Sequence, residues 1–184
     1  MQTVDLSRPG GSHTAGKTFV AVAGPALISL VPMAVAPALP SMAAHFAGGG
    51  DGAFFAQMVM AVPALMIIVS SALSGFLAER LGRRSVLLAA LLLYALSGLA
   101  CAVIPSAAGL IGARLVLGFA AGMVMTCSMS LVADFPAGPA RDRVLGYASA
   151  SAAFMAVVAL TLGGLLVEAL GWRGPFALYA LALA

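Results

Sequence analysis

The sequence specifies an all-α polytopic membrane protein with five full transmembrane helices and part of a sixth. Three observations point there. Of its 184 residues, 62% are hydrophobic and only 8% charged, with a mean hydropathy of +1.10, whereas soluble domains run near about 25% charged. The apolar residues fall in runs close to the ~20 residues that cross a bilayer. The few basic residues gather in alternate connections between those runs. The same composition excludes disorder, which needs low hydrophobicity and high charge. A nucleic-acid partner is also unexpected, because the net charge is only +3 and the basic residues are scattered over short loops rather than massed on one face.

Each span is delimited where charges and turn residues interrupt it. Residues 1–17 read as a cytoplasmic N-terminal tail. Residues 18–184 read as an incomplete bundle with spans at 18–40, 53–79, 85–104, 107–133 and 143–170, and a partial span at 174–184. Span one carries Pro25, Pro32, Pro37 and Pro40. Ala34-Val35-Ala36 resembles a signal cleavage site, but the apolar run is longer than the about 7–15 residues of a signal core. The last span has eleven residues and in α geometry would reach only about 16 Å, half of a bilayer core of about 30 Å. An open end there would leave backbone groups unpaired in hydrocarbon. The chain is therefore expected to be cut short, with its partner half missing downstream.

Orientation follows from the retention of Lys and Arg on the cytoplasmic side. With the N-terminus inside, Arg8, Lys17, Arg80, Arg83, Arg84, Arg141 and Arg143 are cytoplasmic, only Arg173 is outside, and Arg114 is within the membrane. Eight of the nine basic residues are arginine and alanine is abundant, a bias that suggests a bacterium and hence its inner membrane. Cys101 falls near the outer end of span three and Cys127 in the inner half of span four, too far apart for a disulfide, which needs Cα atoms within about 7 Å. Both read as small buried hydrophobes.

Residues 11–18 match the phosphate-loop pattern G-x-x-x-x-G-K-[ST]. That chemistry needs a strand before the loop and a helix after it. Here Arg8-Pro9-Gly10 precedes it and a membrane span follows, so neither a nucleotide nor any other cofactor is expected. There is no histidine pair on one face, no carboxylate dyad and no nucleophile–base pair: His13 and His45 fall on opposite sides of the membrane. The pattern argues against an enzyme and against a metal site.

The connection between spans two and three carries the most information. Gly75-Phe76-Leu77-Ala78-Glu79-Arg80-Leu81-Gly82-Arg83-Arg84 reads as a helix end and a tight turn. Gly82 suits a left-handed C′ position, Arg83 and Arg84 face anionic headgroups, and Ser71 with Gly75 has a small-xxx-small spacing. In span four, Arg114 is followed by Gly118, Ala121, Gly122, Met125 and Met129 along one stripe, so the arginine is expected to face the bundle interior. An arginine inside a membrane segment marks a functional site by default. Gly118 and Gly122 form a G-x-x-x-G spacing that lets a neighbouring helix approach. Gln57, Ser29, Tyr94 and Tyr147 are further polar candidates, and the ten methionines offer soft apolar contacts.

These stretches resemble the major facilitator superfamily. Its G-x-L-a-D-r-x-G-r-k loop between helices two and three matches at Gly75, Leu77, Ala78, Arg80, Gly82, Arg83 and Arg84, with Glu79 in place of the aspartate. Leu110, Arg114 and Gly118 match l-x-x-x-R-x-x-q-G-x-g of helix four, with Leu117 for the glutamine. Gly163 and Gly164 match the end of the antiporter motif of helix five, where Ala159 and Leu160 stand in place of its Gly-Pro. Trp172-Arg173 and Phe176 look like the junction opening helix six. The resemblance implies a major-facilitator-type bundle, most like bacterial exporters. It implies alternating-access transport of a small, hydrophobic molecule, with protons and the lipid bilayer as partners. It also implies a cytoplasmic gate in which Glu79 meets a helix N-terminus and Arg83 pairs with Asp134, and a coupling role for Arg114. A non-transporting sensor or structural protein on the same fold is the competing expectation.

Overall fold

The computed structural model describes residues 11–46 and 51–183. Helix α1 (Gly11–Met33) is followed by a 3₁₀ turn (Ala36–Ala38) and a short α2 (Leu39–Phe46). Then come α3 (Gly52–Leu81), α4 (Arg83–Val103), α5 (Ala107–Ala133), α6 (Pro139–Leu170) and a terminal 3₁₀ helix (Gly171–Leu183). Five stretches are long and apolar enough to cross a membrane, and the described residues contain no strand. This is the polytopic helix bundle expected.

Local chemistry sets the boundaries. The Asp51 carboxylate accepts from the Ala53 and Phe54 N–H groups at 3.1 and 3.2 Å and starts α3; Ser106 accepts from Gly109 N–H at 3.2 Å and starts α5. Both are side-chain N-caps that satisfy orphan donors. Gly82 alone links α3 to α4. Its φ of +82° and ψ of 138° lie in glycine-only space, not at the left-handed helical position expected from sequence.

Span one is not a single helix over 18–40. Pro37 and Pro40 have no N–H to bond the carbonyls four residues earlier, so α1 stops at Met33 and the chain resumes as the 3₁₀ turn and α2. The backbone is helical from Gly11, so the phosphate-loop letters are wound into a helix, while the apolar stretch long enough to cross a membrane runs from Thr18 to Phe46. Arg8 and the rest of residues 1–10 lie outside the described residues. The sixth segment winds as 3₁₀, rising about 2.0 Å per residue, and so extends further than the sequence expectation for α geometry. In that winding residues three apart eclipse, which puts Phe176, Tyr179 and Ala182 on one ridge, the first two inside the main core and Ala182 packed against it.

The main core joins α1, α3, α4, α5 and the terminal helix through Leu30, Val35, Val59, Tyr94, Leu117 and Phe176. A second core, with Val86, Leu87, Val124 and Cys127, lies nearer the Arg83 end. Many large apolar side chains stay exposed, among them Ile68, Val103, Phe154 and Val157, as helices solvated by lipid require.

The most extensive helix contact is the seam of α3 on α5. A Cβ on Gly118 would lie 2.5 Å from the Pro63 carbonyl oxygen, and one on Gly122 would lie 2.7 Å from that of Ile67. The Ser71/Gly75 pair is different: nothing lies within 4 Å of a Cβ built on Gly75, so that spacing serves no helix contact among the described residues. Gly118→Leu is expected to force the seam open and destabilise the detergent-solubilised protein by about 1–3 kcal/mol or more. Gly112→Leu, which meets open space, should stay within about 0.5 kcal/mol of wild type. Comparing the two melting temperatures checks this.

Candidate functional site

Two constellations stand out. The first is at the Gly82 junction. Arg83 opens α4 and Asp134 closes α5. Each charge opposes its own helix dipole, which favours acids at the N-terminus and bases at the C-terminus. They meet across the two helices: Arg83 Nη1 donates to Asp134 Oδ1 at 2.8 Å and Oδ2 at 3.0 Å, and to the Ser130 carbonyl at 3.5 Å. Their side chains are 49% and 38% exposed, and an exposed pair contributes only about 0–1 kcal/mol. Fold stability therefore does not account for two charges placed against their dipoles.

Glu79 is exposed and makes no ion pair among the described residues. Its side chain shares with Arg83 a cleft of about 370 Å³, also bordered by Gly75, Thr126 and Cys127. The structure thus joins Arg83 to Asp134 and leaves the Glu79 carboxylate open beside them. Leu77 packs against the second core, Arg80 stacks over the Phe76 ring at 4.3 Å, and Arg84 is exposed.

The second constellation surrounds Arg114, which is 0% exposed. The side chain does not snorkel. Its Nη1 donates to the Tyr179 hydroxyl at 3.2 Å and to the Val31 carbonyl at 3.5 Å, and Tyr179 in turn donates to Val31 O at 3.1 Å. The break in α1 explains this acceptor. Val31 sits in the last turn before Met33, where carbonyls lack intrahelical partners and the helix end is partially negative. The rings of Phe176 and Tyr179 lie 5.0 and 5.8 Å from the guanidinium carbon, within cation–π range. Among the described residues Nε and Nη2 have no hydrogen-bond partner.

Of the other sequence candidates, Gly118 and Gly122 serve the α3 seam and Met125 is half-buried on the same helix. Gln57 and Tyr147 are exposed, so neither joins Arg114. Ser29 turns back to the Ala26 carbonyl at 2.7 Å. Tyr94 is buried, donates to the Leu27 carbonyl, and lies edge-on to Tyr179 with centroids 5.5 Å apart. Sequence reasoning missed Tyr179 itself; its spacing of three from Phe176 was the available signal. Both cysteines are buried and free, as expected. A second, apolar cleft of about 600 Å³ opens between α1, α4 and α6, bordered by Leu27, Leu87, Met155 and Ala182.

A family model described as Major Facilitator Superfamily matches residues 21–184. Among curated proteins, the chain is 44% identical over 107 residues to a methylenomycin A resistance protein of Streptomyces coelicolor, covering 58% of this chain and 22% of that protein. It is 37% identical over 151 residues to the multidrug resistance protein Stp of Mycobacterium tuberculosis, covering 82% and 28%. It is 31% identical over 148 residues to a chloramphenicol resistance protein of Pseudomonas aeruginosa, covering 80% and 35%. The chain thus spans between about a fifth and a third of the length of these relatives.

Proposed function

Since this chain belongs to the major facilitator superfamily, we propose that it forms the N-terminal part of a bacterial inner-membrane secondary transporter that exports small hydrophobic molecules. Two helical halves would rock about a midplane site, with protons as the driving ion and the N-terminus in the cytoplasm. The relatives named for drug resistance support the substrate class.

The observation that carries the mechanism is the Arg83–Asp134 clasp with Glu79 open beside it. A weak, half-exposed ion pair linking two helix ends can be made and broken at small cost, as a gate requires. A carboxylate such as Glu79 can hold a helix N-terminus with about 0.3–1 kcal/mol, up to about 2 when partly buried. In this proposal that helix belongs to the second half and docks when the cytoplasmic side closes.

Inverted vesicles carrying the complete transporter test this. Ethidium should accumulate inside them when a proton gradient is imposed, and a protonophore should abolish the accumulation. Accumulation no greater than in control vesicles would sink the transporter reading and favour a non-transporting protein on the same fold.

A further inference from the structure

We propose that Tyr179 is the positioning residue for Arg114, seated in a notch in α4 that Gly98 provides; its effect on transport rests on the transporter reading above. A fully buried guanidinium needs polar partners, because an unpaired charge in an apolar interior is strongly disfavoured. The described acidic residues do not supply one: Asp51, Glu79, Asp134, Asp142 and Glu168 all sit at or near helix ends. Among the described residues Arg114 has instead one carbonyl and one phenol as hydrogen-bond acceptors, with the Phe176 and Tyr179 rings and the Cys101 thiol close by.

The hydroxyl of Tyr179 makes that carbonyl usable. It donates its proton to Val31 O at 3.1 Å, which leaves its lone pairs to accept from Arg114 Nη1 at 3.2 Å. One hydroxyl therefore ties α1, α5 and the terminal helix together. The direct Arg114 contact to Val31 O, at 3.5 Å, is at the long limit of a hydrogen bond, so the phenol is the better-formed partner. With Nη1 held this way, Nε and Nη2 make no hydrogen bond among the described residues. These two donors form one side of the guanidinium fork, the geometry that suits a bidentate acceptor.

The seat for Tyr179 is cut to fit. A Cβ at Gly98 would overlap the Tyr179 Cβ and ring. Phe176 stacks on Tyr179 with an interplanar angle of 20°, and Tyr94 meets its edge. Tyr94 is itself pinned to the Leu27 carbonyl, one turn before Val31. The ring is thus fixed on several sides, and the hydroxyl is its only polar contribution.

Tyr179→Phe separates the two roles, because it keeps the ring, its stack and its seat and removes only the hydroxyl. In the complete transporter the variant should reach the membrane at the wild-type level. Its ethidium turnover should fall about tenfold, the scale of one hydrogen bond to a charged group, at an unchanged half-saturating concentration. In an Arg114→Lys background the same change should cause no further fall, because Tyr179 acts through the guanidinium.

A second readout does not depend on transport. Cys101 is buried in the same cluster and lies close to Arg114. In a Cys127→Ala background, N-ethylmaleimide should label Cys101 severalfold faster once the hydroxyl is gone and the junction loosens. If wild-type protein moves no ethidium, the transporter reading fails and the labelling decides the positioning role. Wild-type labelling of Tyr179→Phe would overturn the proposal, as would wild-type turnover or a full additional loss in the Arg114→Lys background.

Discussion

Replacing Arg114 by leucine is expected to abolish proton-driven ethidium efflux while leaving the complete transporter in the membrane at its normal level or above it. The two effects separate because the arginine opposes insertion. On insertion scales an arginine at a helix centre is unfavourable by about 2.5–3.5 kcal/mol, and leucine is favourable by about 0.3–0.6 kcal/mol. Arg114 is fully buried, and two of its nitrogens have no hydrogen-bond partner among the described residues. Removing it relieves that burden and strands no acceptor, since Val31 O keeps its bond from Tyr179. Melting temperature and membrane level should therefore hold or rise as efflux disappears. Arg114→Lys keeps the charge and loses the planar fork, and should retain only a small part of the rate. A structural arginine would give the opposite pattern, with a lowered melting temperature and efflux falling in proportion to the folded protein.

The second large effect is expected at the other end of the bundle. Asp134→Asn and Glu79→Gln should each cripple efflux without lowering the amount of protein inserted. For Asp134 the argument rests on exposure: with side chains 49% and 38% exposed, the pair contributes about 0–1 kcal/mol to stability. Most of any loss must then come from the transport cycle. For Glu79 the argument rests on its lack of an ion pair among the described residues. Neutralising it breaks no local contact, so lost efflux would report a partner met only during transport. Wild-type rates in both variants would dismiss the gate.

Residue by residue, the sequence disclosed the parts of this design that depend on local chemistry. Span four, expected over 107–133, coincides with α5, which the structure shows capped by Ser106 and closed by Asp134. The interior position of Arg114 was legible from the small residues that follow it, two of which mark the α3 seam. The Arg83–Asp134 contact came from the family resemblance, since nothing in the spacing of the two residues brings α4 and α5 together.

Other features needed three dimensions. Small residues four apart lie both on the α3 seam, at Gly118 and Gly122, and on an open face, at Ser71 and Gly75, and spacing alone does not tell these apart. The prolines of span one were visible, but not that the break they cause would free the Val31 carbonyl for Arg114. For Tyr179 the spacing of three from Phe176 was visible, but not its seat, which is a glycine on a different helix.

The most direct test of the gate is a double-mutant cycle on its one observed ion pair, read as proton-driven ethidium accumulation in inverted vesicles. Arg83→Gln and Asp134→Asn remove the same contact, so a gate held by that contact requires the double variant to transport no worse than the more impaired single variant. Independent losses that multiply in the double variant, with all proteins at wild-type membrane levels, would contradict the clasp as the working element of the site.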